Sequence, residues 1–413
     1  MTASLRIRPF AAIRPRPERA SQVACVPYDV INTHEARALA EGNPLSFLHV
    51  IRSEIDLPES TSPYDDAVYA QAKENLDRFL ADGTLIREDK PSMFIYRQVM
   101  NHREQYGLVC CCHVDDYTND VIKKHEKTRQ DKEDDRTRHV LTLNANAEPV
   151  FLTYHEQPAI NDLVAHDTTD RPLFHFDAPD GVTHTIWRVD NPQSYVDAFA
   201  SLPAAYIADG HHRSASAARA GTERRAANPN HTGDEEYNWF LTVLFPHTQL
   251  QILPYNRVIK DLNGQSPNAV LNALAAAGQL TRNSGESQPQ SPGSVCIYLD
   301  GAWHTLQFPH DAIDHSDPIN SLDVSLLQTR VLEPILAIAD QRTDKRIDFV
   351  GGIRGTKELE NRVDSGEAAL AIAMYATSID QLLAVSDAGL VMPPKSTWFE
   401  PKLRSGLLIH SLD

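Results

Sequence analysis

Cysteine is scarce in this chain, aromatic residues are few, no apolar run is long, and positive charge is outnumbered. There are five cysteines, an odd number with no C-x-x-C spacing, so neither a disulfide framework nor a thiolate zinc site is signalled. Three of them, Cys110-Cys111-Cys112, are consecutive in the apolar run Leu108–Val114. Side chains alternate along a strand, which puts Cys110 and Cys112 on one face and Cys111 on the other. Small buried hydrophobes are the expectation there, with a metal or redox site as the competing reading. The longest apolar stretch, near Ala368–Ala376, is about half of the roughly 20 residues that span a bilayer. The start, MTASLRIRPF, has no apolar signal core, so the cytoplasm is the expected compartment and no membrane partner is expected. Lysine and arginine number 39 against 56 acids, a net charge of −17, which disfavours a nucleic-acid or anionic-membrane surface. No helix-turn-helix with a basic recognition face is evident.

What is present reads as an α+β chain of about two domains, 413 residues long. Asn32 with Glu35 three residues on forms a capping box, and Gly42 and Pro44 end the helix it opens. Tyr69, Leu76, Phe79 and Leu80 recur at helical spacing before a stop at Gly83. Strands are predicted over Ser92–Gln98 and Gly107–Val114, with MNHREQYG as the hairpin connection. Residues 121–138, VIKKHEKTRQDKEDDRTR, form the most charged stretch and read as a solvated helix face. A strand over Thr183–Val189, a helix over Pro192–Phe199 and a buried strand in NWFLTVLFP follow. SVCIYL-DG-AWHTLQF is a hairpin turning at Asp300-Gly301. The expected division is an N-terminal α/β part over 1–115, a core over 116–250, and a C-terminal α/β part over 251–413.

The most chemically loaded joint is IADGHHRSASAARA, residues 207–220. An apolar strand breaks at Asp209-Gly210 into an alanine-rich helix. The first N–H groups of such a helix lack partners and attract anions, above all phosphate. Gly210 lets the backbone come close, Arg213 supplies a fork of donors, and His211 and His212 can donate to oxygens. Asp209, itself anionic, suits a hydroxyl, an amine or a magnesium ion. Three other readings compete: a zinc site, a helix cap by Asp209 with the histidines incidental, and a structural Asp209–Arg213 pair.

ADGHHRSASA resembles the D-G-H-H-R-x-x-A signature of the ParB/sulfiredoxin superfamily, in the form carried by free L-serine kinases. VPYDVIN (26–32), NPLSFLHVIR (43–52), IKKHEKTRQDKEDDR (122–136), DGVTHTIW (180–187) and MPPKSTWFEPKLRSG (392–406) are similar to the domain-of-unknown-function family ten-fifteen of that superfamily. The resemblance implies a ParB/sulfiredoxin-like nucleotide-binding core at 116–250, with an N-terminal elaboration and a C-terminal part closing the site. It implies a phosphotransferase using ATP or ADP with magnesium held mainly by the nucleotide, acting on a hydroxylated metabolite such as free L-serine. A nucleotide-hydrolysing switch is the alternative. The His-Glu pair carries over to His125-Glu126, making Glu126 the expected base, with Asp209 as the second catalytic carboxylate facing it. Gly210, His211, His212, Arg213, Lys127 and Thr128 are the expected phosphate contacts, and His125 and Arg129 are secondary ones. Lys395, Ser396 and Thr397 either contact phosphates, with Trp398 or Phe399 stacked on a purine, or belong to a tail packed by its aromatics. No glycine-rich loop precedes them, so they form no Walker motif.

Overall fold

A sheet strand is built wherever the chain alternates or buries apolar side chains, and nine such segments join in one sheet. The computed structural model describes residues 4–413. The chain divides into two units, one of residues 1–250 with 401–413 and one of residues 251–400. The nine strands of this sheet, all in the first unit, are β1 (Ile7–Arg8), β2 (Phe94–Met100), β3 (Arg103–His113), β4 (Ile122–Lys123), β5 (Val150–Tyr154), β6 (Phe174–Asp177), β7 (Thr183–Arg188), β8 (Ala205–Asp209) and β9 (Trp239–Pro246). Their order is β4-β8-β5-β9-β3-β2-β7-β6, with β1 beside β3. β8 is parallel to β4 and antiparallel to β5, while β9 is parallel to β5 and antiparallel to β3. The sheet is therefore mixed and the class is α+β.

The helices that matter for the site are α1 (Thr33–Ala40), α2 (Asp66–Ala81), α3 (Gln130–Leu143), α4 (Pro192–Phe199) and α5 (His211–Ala227). The capping box of α1 forms, with Asn32 and Glu35 each satisfying the other's backbone N–H. One apolar cluster, including Ile95, Leu108, Cys110, Cys112, Leu152, Ile207, Phe240 and Leu244, fills one side of the sheet. Cys110 and Cys112 share a face as alternation requires, both beside the Thr242 hydroxyl at 3.7 and 3.3 Å. A second cluster gathers Val23, Phe47, Leu48, Ile51, Leu76, Phe79, Leu143 and Ile409 around the helices of the N-terminal part.

The hairpin between β2 and β3 is tighter than expected. Met100 pairs with Arg103, and only Asn101 and His102 connect them, both with positive φ. That geometry matches the right-handed twist of the strands, and it leaves Arg103–Gly107 free to extend β3. The charged stretch also differs from its expectation. Helix α3 begins at Gln130 rather than running from 121, and it is not solvated all round: Asp135, Arg136, Thr137 and His139 are buried while Asp131, Asp134 and Arg138 face out.

The second unit carries β10 (Tyr255–Ile259), β11 (Gln279–Thr281), β12 (Ser294–Leu299), β13 (Ala302–Gln307), β14 (Ile347–Gly351) and β15 (Leu370–Met374), in the order β11-β13-β12-β15-β10-β14. The β12–β13 hairpin turns at Asp300-Gly301, both at positive φ. Its longer helices are α6 (Pro267–Ala277), α7 (Gly355–Asp364) and α8 (Ile379–Asp387).

The two units meet at 250/251, and residues 1–115 and 116–250 both lie in the first of them. Strands from both 1–115 and 116–250 hydrogen-bond in one sheet, so those parts share a core. Residues 401–413 belong with the first unit: His410–Ser411 pairs with Ala145–Asn146, and Ser405 pairs with Cys25. Among the described residues no helix is long and apolar enough to cross a membrane.

Candidate functional site

The strand β8 ends at Asp209, after a register shift between Ile207 and Asp209. Such irregularities re-aim side chains at sheet ends. Gly210 follows in the left-handed region with φ 98°, and no side chain caps α5 behind it. A Cβ on Gly210 would come within 3.1 Å of the Arg213 guanidinium, so glycine allows that side chain to lie against the turn. Arg213 is thoroughly buried, with its side chain 7 % exposed. One of its terminal nitrogens donates to the Pro149 carbonyl. Its Nε and Nη2 are enclosed without a hydrogen-bond partner, and the carboxylates of Asp209 and Asp29 stand off at 3.5 and 3.7 Å. Burial works against the charged guanidinium, but Asp29, Asp209 and Glu148 outweigh it and keep it protonated. Donors that are buried, charged and unsatisfied are costly unless something anionic meets them.

Asp209 is held from the other side. Its Oδ2 accepts from Lys402 Nζ at 3.3 Å. Burial alone would raise the Asp209 carboxyl, but the Lys402 ammonium and the Arg213 guanidinium hold it well below the usual carboxylate range. Both histidines of the joint accept backbone N–H groups from the segment around Glu126: His211 Nε2 from His125 at 3.4 Å and His212 Nε2 from Arg129 at 3.1 Å. The His125 and His211 rings meet edge to face, with centroids 4.4 Å apart. Burial pushes both imidazoles down to about 3. They are therefore neutral near pH 7, and neither of these two rings adds positive charge beside Arg213 and Lys402.

The two elements expected to form the site are thus brought together, with Glu126 half-buried one residue from the His125–His211 contact. Lys127 is exposed. Thr128 and Arg129 are turned to the start of α3: the threonine hydroxyl donates to Glu133 at 3.1 Å and the arginine side chain to Asp131 at 2.7 Å. Lys395, Ser396 and Thr397 belong to the second unit. There the Lys395 ammonium lies 5.5 Å over the Tyr255 ring, the Ser396 hydroxyl donates to the Pro393 carbonyl, and Trp398 packs edge-on to Tyr255 and against Gly351.

Several charged residues around the turn escape a reading of the joint alone. Arg136 from α3 bonds Asp135 at 2.9 Å, approaches Glu148 at 3.8 Å and stacks 4.1 Å over the Tyr28 ring. Asp135 in turn accepts from the Tyr69 hydroxyl at 2.7 Å. Glu148 accepts from the Tyr28 N–H and the Ser405 hydroxyl, each at 3.1 Å; burial pushes its carboxyl up, against the pull of Arg213 and Arg136. A cavity of about 20 Å³, bordered by Arg136, Glu148 and Arg213 among others, has room for about one water between these charges. Asp29, Arg136 and Lys402 all lie inside stretches singled out in the sequence (VPYD, DDR and PKLR), and that membership is the available signal. Glu148 lies outside them and had none.

The family described as "Protein of unknown function (DUF1015)" matches residues 7–325. No curated protein matches the chain. Among solved structures, a free serine kinase in complex with AMP is 12% identical, with a TM-score of 0.36 over 73% of this chain and 92% of its own. A conserved hypothetical protein from Pyrococcus furiosus is 13% identical, with a TM-score of 0.36 over 73% of this chain and 95% of its own. SbnI with C-terminal truncation, from Staphylococcus aureus, is 11% identical, with a TM-score of 0.39 over 72% and 85%.

Proposed function

The chain belongs to the DUF1015 family, and from that premise we propose that it is a small-molecule kinase. Its first unit, built on a ParB/sulfiredoxin-like core, transfers a phosphoryl group from ATP or ADP to a hydroxylated metabolite. Free L-serine is the leading acceptor, with O-phospho-L-serine as product. The observation that carries the reading is the Gly210 turn: a left-handed glycine opening an uncapped helix, with buried, unsatisfied guanidinium donors laid against it. A helix start and an arginine fork together suit phosphate oxygens.

Phosphoryl transfer asks for positioning and charge neutralisation more than for covalent help from the protein. Glu126 takes the proton of the acceptor hydroxyl as the new O–P bond forms and the bond to the departing nucleotide phosphate breaks. Gly210 and Arg213 hold the phosphates, and Asp209 faces the acceptor or a metal. Asp209 is kept ionised and its side chain is 24 % exposed. It therefore fits the habit of magnesium, which joins one or two carboxylates to nucleotide phosphates and keeps several waters. When bound there, the ion neutralises charge on the transferring group.

Product analysis tests the proposal. Full-length protein with ATP or ADP, magnesium and a panel of hydroxylated amino acids yields a phosphorylated metabolite. Release of free phosphate alone would instead indicate a hydrolysing switch. Glu126→Gln keeps the shape and removes the base, so turnover falls by about a hundredfold or more while nucleotide affinity is nearly unchanged. Full turnover in that variant sinks the mechanism.

A further inference from the structure

We propose that Lys402 is a second phosphate-binding cation of this site, held by Asp209 while no anion occupies the turn. The inference rests on the phosphate reading of the Gly210 turn. The Lys402 ammonium lies 3.3 Å from Asp209, the residue that immediately precedes Gly210, and its side chain is only 12 % exposed. The same Asp209 carboxylate neighbours Arg213, whose Nε and Nη2 are buried and unsatisfied. A diphosphate carries more charge than one guanidinium shared between Asp29 and Asp209 can balance. The buried His211 of the turn, neutral near pH 7, adds none. Lysine is a compact point charge suited to phosphate.

The mounting of this lysine is unusually firm for a residue outside the sheet. Its carbonyl accepts from Gln98 at 2.8 Å, and Gln98 accepts from Gln105 at 2.9 Å. Two residues on, Arg404 donates through Nε to His184 at 3.1 Å, through its backbone N–H to the Tyr96 hydroxyl at 3.3 Å, and through a terminal nitrogen to Asp180. Ser405 forms a backbone bridge with Cys25 and bonds Glu148, and Gly406 sits so close to Phe47 that a Cβ would come within 2.6 Å. Residues from five separate stretches, near 25, 47, 97, 148 and 180–184, fix one short segment. Side chains held this way are preorganised. Asp209 and an incoming phosphate are then alternative anions for one ammonium, and arrival of the phosphate frees Asp209 for metal or acceptor.

Calorimetry of the full chain with metal-free pyrophosphate tests the assignment. Wild type binds, Lys402→Met weakens binding roughly ten- to a hundredfold, and Lys402→Arg recovers most of the loss. Because Asp209 competes with the ligand for the ammonium, Asp209→Asn tightens pyrophosphate binding, and it does so markedly less when Lys402 is also replaced. Should Lys402→Met fail to fold, Lys402→Gln takes its place in every measurement. No pyrophosphate binding by wild type, unchanged affinity in the Lys402 variant, unchanged or weaker binding in Asp209→Asn, or a tightening as large without Lys402 as with it overturns the proposal. A protein that binds pyrophosphate through Lys402 but makes no phosphorylated product keeps this inference and loses the kinase.

Discussion

Arg213 concentrates the site's chemistry in one side chain. Its position is set by a glycine that no other residue replaces cheaply, since φ is 98° and the space a Cβ would need is filled by the guanidinium itself. Two of its three nitrogens have no hydrogen-bond partner although the side chain is buried. A phosphate would satisfy them with charge-assisted bonds, so Arg213→Ala should cost about 1.5–3 kcal/mol of nucleotide affinity in calorimetry. Unchanged affinity would place the phosphates elsewhere. Arg213 was legible in the sequence because the joint packs acid, glycine, histidines and arginine into five consecutive residues. Lys402 and Glu148 were not legible in that way. They reach the turn from 193 residues downstream in one case and lie at 3.1 Å from Ser405 in the other, pairings that no local pattern encodes.

Helix α3 shows why some elements can be read and others cannot. Where side-chain chemistry acts locally, as in the capping box of α1 or the Asp300-Gly301 turn, sequence and structure agree. The strands of β9 and of the β12–β13 hairpin were equally plain, because their burial follows apolar runs. In α3 the inward face is polar, with Asp135, Arg136 and His139 paired internally, so hydrophobic periodicity is silent. His139 bonds the Val50 carbonyl at 3.1 Å, and burial pushes its imidazole down to about 3, as it does for His125 and His211. In the unfolded chain these rings take up protons near their ordinary value of 6.5. The unfolded state therefore binds more protons between about 6.5 and 3, and stability falls as pH drops through that window. Each ring contributes at most about 1.4 kcal/mol per pH unit. Urea midpoints measured from pH 7 to pH 4 should decline, and His139→Gln should flatten part of the decline. A pH-independent midpoint contradicts the neutral, buried assignment.

At the scale of the whole molecule, the first unit is discontinuous in the chain: 1–250 and 401–413 fold together with 251–400 between them. The expected boundary at 115/116 marks where the core implied by the family resemblance begins, ahead of His125-Glu126. Sheet membership depends on pairing partners, and those lie across that boundary. The short return segment holds Lys402 and Arg404 and pairs with Cys25 and with Ala145–Asn146. Deleting residues 401–413 removes the Ser405 hydroxyl from the buried Glu148 and the Lys402 ammonium from Asp209, a loss of about 1–3 kcal/mol for each lost partner. Hydrogen exchange should show α3 and β8 losing protection while β12 and β15 of the second unit keep theirs. Retained protection in α3 would mean the segment is dispensable.

Synthesis adds a schedule to this arrangement. Chains emerge at about 5–20 residues per second, and residues 251–400 must all be made after Asp209 and Arg213 have emerged and before Lys402 exists. For roughly 8–30 s of translation at that rate, the nascent first unit carries the Gly210 turn without the lysine that pairs with Asp209, so this cluster of charges is completed only after an entire intervening unit has been made.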